Sequence, residues 1–376
     1  KEFENIDLRN EKEKYLYQKS INQQYTVNLS GGAKNHSYYL STGYDRNLEN
    51  LIRNSYSRVT VKATNSLSML NNKLQLSSDI NYVSSIQAAN NSSTLLNMTD
   101  TRELYPYAKL MDEGDRPAIV FKDYRHSYII GLREHEPSLL DWTYRPLEEI
   151  ELSNNRRYNR DYRLGINTKY HLIDGLNIQA IYQYGMNTIN VEKENSVNSY
   201  FTRNEINRFT KVNEDGSVVR PIPLGGIMDQ DNKRSESHKF RSQLNFNKAI
   251  YQDISLDAIA GIDISNYHTK GTTVRLFGHN PERAGISMVD YIGSYQSYIN
   301  PANQGLKISF NDDVHDLTDR FVSYYTNLGL SYKNKYVLSM SGRIDKSNIF
   351  GVNANKKGVP LWSTGLAWKV SEEDFY

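Results

Sequence analysis

Apolar and polar residues alternate along this chain in about eleven separate stretches, most of them close to ten residues long. A period of two puts successive side chains on opposite faces of a strand, so each stretch reads as a β-strand with one apolar and one polar face. Lys73–Tyr82 sets Leu74, Leu76, Ile80 and Tyr82 against Lys73, Gln75, Asp79 and Asn81. Asp161–Tyr170 sets Tyr162, Leu164, Ile166 and Tyr170 against Arg163, Asn167 and Lys169. Leu176–Met186, Lys239–Lys248 and Asp253–Ser265 repeat the scheme. Less regular versions occur at Gln24–Ser30, Ser37–Tyr44, Arg58–Thr64, Phe321–Tyr332, Tyr336–Asp345 and Leu361–Val370. Roughly 9–11 residues are what a tilted strand needs to cross a bilayer.

The connections alternate short and long from one end of the chain to the other. Gly31–Asn35, Asn65–Asn72, Ile173–Gly175, Ala249–Gln252 and Lys333–Lys335 are short. Asp45–Tyr56, Val83–Asn159, Asn187–Ser237, Asn266–Asp319 and Lys346–Val359 are longer. In an antiparallel meander every second connection falls on the same edge, so tight turns collect on one edge and elaborated loops on the other. Small periplasmic turns and long outside loops give an outer-membrane barrel this polarity. Tyr170, Tyr332 and Tyr336 lie beside the tight turns, and Tyr44, Tyr82 and Tyr184 lie at the opposite strand ends, as two interfacial girdles would.

The pattern therefore predicts an all-β fold, an antiparallel transmembrane β-barrel segment of about eleven strands. Residues 1–376 form part of one barrel domain, with extracellular loops at 83–159, 187–237 and 266–319. Leu76, Ile166, Ile178, Leu244 and Leu256 should face lipid, and Arg163, Lys169, Arg241 and Asp257 should face the lumen. The alternative is a soluble β-protein whose polar columns face bulk water. Six strand glycines, Gly43, Gly165, Gly185, Gly261, Gly329 and Gly365, fall on the inward column. They mark either close filling of the lumen or relief of wall curvature.

Composition adjusts this picture only slightly. The 376 residues carry a net charge of +2, which gives no case for a nucleic-acid partner. Tyr outnumbers Phe 29 to 11, which suits side chains that keep a ring in the bilayer interface and a hydroxyl in water. The absence of Cys removes disulfides and thiolate metal sites. No apolar run approaches the roughly 18 residues of a membrane helix, which is neutral toward a barrel. The charged N-terminus has no apolar signal segment, so an exported chain is expected to start after its true beginning.

No catalytic motif emerges. Arg133-Glu134-His135-Glu136 lacks the paired-His spacing of a zincin, and Asp229-Gln230-Asp231-Asn232 lacks the later Gly and Glu of a calcium loop. No phosphate loop or GxSxG elbow is present, so no catalytic residue, metal or cofactor is expected. The long loops are rich in the residue types that dominate ligand contacts. Tyr124, Arg125, Trp142, Tyr144, Tyr291, Tyr295 and Tyr298 are the candidates, and the alternative for each is packing of the loops against one another.

One stretch is distinctive as a motif: Tyr336–Tyr376, YVLSMSGRIDKSNIFGVNANKKGVPLWSTGLAWKVSEEDFY. It resembles the SusC/RagA-like TonB-dependent transporters at Gly342, Arg343, Asp345, Ser347, Phe350, Gly351, Pro360, Trp362, Ser363, Gly365, Trp368, Ser371, Glu373 and Phe375. QYTVNLSGGAKNHSYYLSTGY, YPYAKLMDEGDRPA, WTYRPLEEIEL and NEDGSVVRPIPLGGIMD are similar to further family segments. Lys346 departs from the family, where Gly commonly follows the Asp. The resemblance implies a 22-stranded barrel with an N-terminal plug, energised through TonB and capped by a SusD-like lipoprotein lid. This chain would supply about half of that barrel, without plug, TonB box or final strands. Its implied function is import of a nutrient oligomer, an oligosaccharide or oligopeptide, across the outer-membrane lipid. The seven loop residues would then contact substrate or lid. An outer-membrane enzyme or adhesin on the same barrel is the competing reading.

Overall fold

Eleven antiparallel strands form one meandering sheet in the computed structural model, which describes residues 6–99, 102–283, 285–349, 358–373 and 375. They are β1 (Ile21–Ala33), β2 (His36–Leu48), β3 (Asn54–Met69), β4 (Leu74–Ala89), β5 (Ser153–Ile173) and β6 (Leu176–Asn195), followed by β7 (Gly226–Tyr251), β8 (Ile254–Asn280), β9 (Asp313–Tyr332), β10 (Tyr336–Ser347) and β11 (Gly358–Trp368). Each pairs with its sequence neighbour, and a short strand at Gly285–Ser287 adds to the far end of β8. The sheet is not closed: β1 and β11 each keep one open edge among the described residues. Phe350 and Gly351 of the family-like segment, and Tyr376, lie outside the described residues.

Turn chemistry sets the tight edge. Asp174-Gly175 joins β5 to β6, with Gly175 at φ +82°. A β-carbon there would also meet Lys248 and the Asn247 carbonyl at under 3 Å, so Gly is required twice over. Lys333 and Asn334 hold φ of 52° and 55° between β9 and β10, the paired positive values that match a right-twisted hairpin.

Register fixes the two faces. Leu67, Leu76, Thr168 and Ala180 are successive cross-strand partners, as are Ile178, Leu244, Ala260 and Thr326. Leu76, Ile166, Ile178, Leu244 and Leu256 all fall on this face. Its large side chains are open to the surroundings: Ile166 is 51% exposed and Val27 72%. No second sheet covers them among the described strands. Both aromatic girdles lie on the same face. Tyr82 meets Tyr162 at 4.8 Å between ring centroids, and Tyr332, Tyr336 and Trp368 stack in a row at the tight edge.

Arg163, Lys169, Arg241 and Asp257 lie on the opposite, polar face. Amides there bridge three strands: Gln179 donates to Asn167, Gln243 to Gln179, and Asn245 to Asn177. Cross-strand side chains lie over the inward glycines. Asp79 covers Gly165, and the Tyr325 ring would come within 2.6 Å of a β-carbon at Gly261 while its hydroxyl donates to Gln243. Close filling is thus the reason for glycine at those two positions.

The strands run well beyond the lengths expected from alternation. β7 has 26 residues and β8 has 27, so much of what reads as loop in sequence is wall. Asp229–Ser237 is entirely polar, yet it pairs on both sides throughout. Both faces are wet at that height, so no apolar column is needed to mark the strand. β11 instead stops short of Val370. Val370–Glu372 turns, and Glu373 accepts hydrogen bonds from Lys335, Tyr336 and the Trp368 indole at 2.8–3.0 Å.

Most of the buried apolar residues sit in the connections, with Ile227 and Phe277 added from the long-loop ends of β7 and β8. The segment 90–152 contains α2 (His126–His135) and α3 (Pro146–Leu152), and 196–225 contains α4 (Tyr200–Phe209). An N-terminal helix, α1 (Leu8–Tyr15), joins them through Leu8 and Leu16. Two clusters result, one around Leu110, Trp142 and Ile150, the other around Ile206, Ile222 and Phe277.

The two faces should respond differently to charge. Ile166→Arg and Leu328→Arg, each midway between the girdles on the apolar face, should cost about 2–4 kcal/mol. Asn327→Arg, beside Leu328 on the polar face, should be tolerated. Denaturant unfolding of the membrane-embedded protein checks this. Equal tolerance of all three substitutions would contradict the assignment of faces.

Candidate substrate-contact surface

Helix α4 organises the layer over the long-loop edge. Ser199 caps it by accepting from the Thr202 amide, and Tyr200, Arg203, Ile206 and Asn207 recur every three or four residues on its buried side. Asn207 clasps Leu140 in both directions, accepting from its N–H at 3.0 Å and donating to its carbonyl at 2.9 Å. Arg203 donates to the Asp141 carbonyl at 2.6 Å and the Thr143 carbonyl at 3.2 Å. The long connections thus converge on one helix.

Most of the aromatic residues singled out from sequence serve this packing. Trp142 and Tyr144 are 4% and 5% exposed. The Trp142 indole and the Tyr124 hydroxyl both donate to Asn204, and their rings meet edge-on at 5.3 Å. Tyr298 extends this group, with its ring 6.1 Å from Trp142. Tyr144 packs on Tyr200 and donates to the Leu95 carbonyl. Tyr291 lies between Phe277 and Phe310, and Tyr295 contacts Phe209. Arg125 is exposed at the start of α2.

Open recesses lie beside this packing. One of about 480 Å³ is lined by Asp141, Arg145, Glu148, Val197, Asn198 and Arg203. Arg145 lies 3.3 Å from Asp141 and 3.7 Å from Glu148, so the recess presents both signs of charge. Another, of about 350 Å³, places Tyr128 and Tyr298 beside Lys211 and Gln296. A third notch, of about 320 Å³, opens over Gly185 on the polar sheet face. Its walls include Asp161, Arg163, Gln183, Asn187, Lys239 and Tyr267, with the Lys239 ammonium 5.4 Å above the Tyr267 ring. Of the expected residues, only Tyr298 and Arg163 line these recesses. Arg203, Asn204 and Asn207 escaped notice in sequence, although Ser199 followed by a three-to-four-residue repeat marks a capped helix.

Lys169 sits between Gln75 and Gln179 in register, Arg241 pairs with Asp263 at 2.5 Å, and Asp257 accepts from Asn247. These three stand apart from the recesses.

Three comparisons place the chain among known proteins. No family model matches it. TonB-dependent receptor P39 of Formosa agariphila is 24% identical over 367 residues, covering 96% of this chain and 29% of the receptor. TonB-dependent receptor P26 of the same organism is 21% identical over 350 residues, covering 93% and 30%. The closed-closed state of the RagAB peptide importer superposes with a TM-score of 0.70 at 14% identity, over 96% of this chain and 35% of that one. The chain thus spans about a third of the proteins it matches. The expected resemblance to TonB-dependent transporters is met by these relatives, and an outer-membrane β-barrel agrees with the exposed apolar face.

One group in the loop layer titrates unusually. Glu149 of α3 accepts from the Tyr200 amide at 2.7 Å and lies 3.8 Å from Arg203. Burial pushes its carboxyl up from 4.5 to about 7, against the opposing pull of the Tyr200 amide and the Arg203 charge. Between those two values the folded layer holds a proton that the unfolded chain has lost, so its stability falls as pH rises through the window. Limited proteolysis of 90–152 and 196–225 should therefore be slower near about pH 5 than near about pH 8. Glu149→Gln should flatten that difference, and an unchanged pH dependence in the variant would contradict the assignment.

Proposed function

We propose that this chain forms part of the wall and outer vestibule of a TonB-dependent outer-membrane importer whose substrate is an oligopeptide. The observation that carries the reading is the single sheet with an exposed apolar belt on one face and a hydrogen-bonded, charge-lined surface on the other. Such a sheet is stable only where lipid covers one side and water the other. Its open edges call for further strands, in a closed barrel of about 22. Those strands, the plug and the TonB contact are assigned to the length of the relatives that this chain does not span. The long-loop edge faces outward, and the layer built on α4 offers a SusD-like lipoprotein its landing surface.

The choice of a peptide rests on the character of the recesses and on the RagAB peptide importer among the structural neighbours. Sugar sites present exposed aromatic platforms, and Trp142, which carries the largest ring in the long loops, is buried. The recess at Arg145 and the notch at Arg163 and Lys239 each carry both signs of charge, which suits a zwitterionic chain with polar backbone groups. The candidate contacts in the outer layer are Tyr128, Arg145 and Tyr298, with Arg125, Tyr291 and Tyr295 nearby. Trp142, Tyr144 and Tyr124 hold the layer in shape.

A strain lacking the complete protein should lose growth on oligopeptides and keep growth on oligosaccharides. In the restored strain, Arg163→Gln with Lys239→Gln should lower peptide uptake several-fold at unchanged barrel assembly. A growth defect confined to an oligosaccharide would contradict the peptide reading. Normal growth on every oligomer would contradict import itself.

A further inference from the structure

The upper rim of the apolar face carries a collar of positive charge without carboxylate partners among the described residues. The first outward polar residue or glycine beyond the girdle on the long-loop side defines the collar on each strand, with Ile21, Leu48, Ile86 and Tyr158 farther out on the same face. In strand order the collar residues are Gln23, Arg46, Ser57, Ser84, Arg160, Thr188, His238, Asn266, Arg320, Lys346 and Gly358. Four are Arg or Lys and none is Asp or Glu, in a chain that holds 45 basic and 43 acidic residues. Arg46, Arg160, Arg320 and Lys346 are all exposed.

Their partners distinguish them from the other cations of the wall. On the inward face at comparable heights, Arg58 pairs with Asp45, Arg163 with Asp161, Arg241 with Asp263 and Arg343 with Asp345, all within 2.9 Å. Farther out on the apolar side of the sheet, Arg234 contacts Glu236 and Lys270 contacts Asp316. Among the described residues, the four collar cations have no carboxylate within salt-bridge reach. Arg320 and Lys346 are moreover diagonal neighbours, since Val322 is the direct partner of Lys346. Like charges that close repel unless an anion lies between them.

The height of the collar identifies that anion. Two residues along a strand tilted by about 40° rise roughly 5 Å beyond the girdle. The headgroup layer occupies the first 5–7 Å or so beyond the hydrocarbon. We propose that Arg46, Arg160, Arg320 and Lys346 bind the phosphate groups of the outer-leaflet lipid, with Arg320 and Lys346 bracketing one of them. Asn266 accepts from the Arg320 guanidinium at 3.3 Å and holds it in place on that side. The collar would fix the depth of the barrel and order a ring of lipid beneath the lid. This inference rests on the outer-membrane reading above, which the Ile166→Arg and Leu328→Arg substitutions test separately.

The test is native mass spectrometry of the complete, delipidated protein titrated with bisphosphorylated lipid A, with the same lipid stripped of phosphate, and with inorganic phosphate as competitor. The wild type should retain the phosphorylated lipid, release the stripped one and be indifferent to inorganic phosphate. The combined variant Arg46→Gln/Arg160→Gln/Arg320→Gln/Lys346→Gln should bind the phosphorylated lipid roughly tenfold more weakly or worse. Lys34→Gln/Lys333→Gln, at the tight-turn edge, should bind like the wild type. Heat-modified gel migration confirms that each variant is folded, and Arg320→Gln/Lys346→Gln serves if the larger variant does not assemble. Equal affinity for the stripped lipid, displacement by inorganic phosphate, or equal loss in the tight-turn variant would each overturn the proposal.

Discussion

Backbone hydrogen bonding is the constraint from which this structure follows. In hydrocarbon an unpaired N–H or C=O costs several kcal/mol, so a strand can cross only beside another strand. The ladders here continue from β1 to β11 with only local bulges, as at His171–Ile173 and Ala249–Tyr251. With the backbone satisfied in the plane of the sheet, side chains are left to meet two solvents. The period-two pattern is the direct consequence. Among the described residues the outer edges of β1 and β11 stay open.

Charge is handled differently on the two sides. The polar face neutralises its cations internally, through pairs such as Arg241–Asp263, and links its amides through Gln179 and Gln243. The apolar face keeps its belt free of charge and places cations only beyond the girdle. The loop layer solves a third problem. It sits in water without the support of the membrane, so it builds small cores of its own on α4 and closes them with Arg203, Asn204 and Asn207. The buried carboxyl of Glu149 is part of that arrangement.

The membrane-crossing portion was legible in the sequence because alternation there is enforced by the surroundings. Each stretch read from the pattern overlaps an observed strand, and the face assigned to Leu76, Ile166 and Leu244 is the face they occupy. Where both sides of the wall are wet, as along Asp229–Ser237, nothing in the side chains records the strand, and only pairing reveals it. The aromatic residues of the long loops were visible as a group, but their partners were not. Trp142 and Tyr144 carry the chemistry of a binding platform and are held inside by Asn204 and Leu95, contacts between segments far apart in sequence. Glu373 shows the reverse. It stood out only as part of a family-like motif, and the structure supplies its reason, a carboxylate tying Lys335, Tyr336 and Trp368 together at the tight edge.

The central claim is that one face of this sheet meets lipid and the other meets water. The chain has no cysteine, so single cysteines introduced along β5 and β9 report their own surroundings. Spin labels at 162–170 and 324–332 in the membrane-embedded protein can be probed for collision with oxygen, which concentrates in hydrocarbon, and with a water-soluble nickel chelate. Oxygen accessibility should peak at Leu164, Ile166, Leu328 and Leu330, and nickel accessibility at Arg163, Asn167, Asn327 and Gly329, with a strict period of two. Nickel reaching both columns equally, or neither probe reaching the apolar column, would contradict the claim.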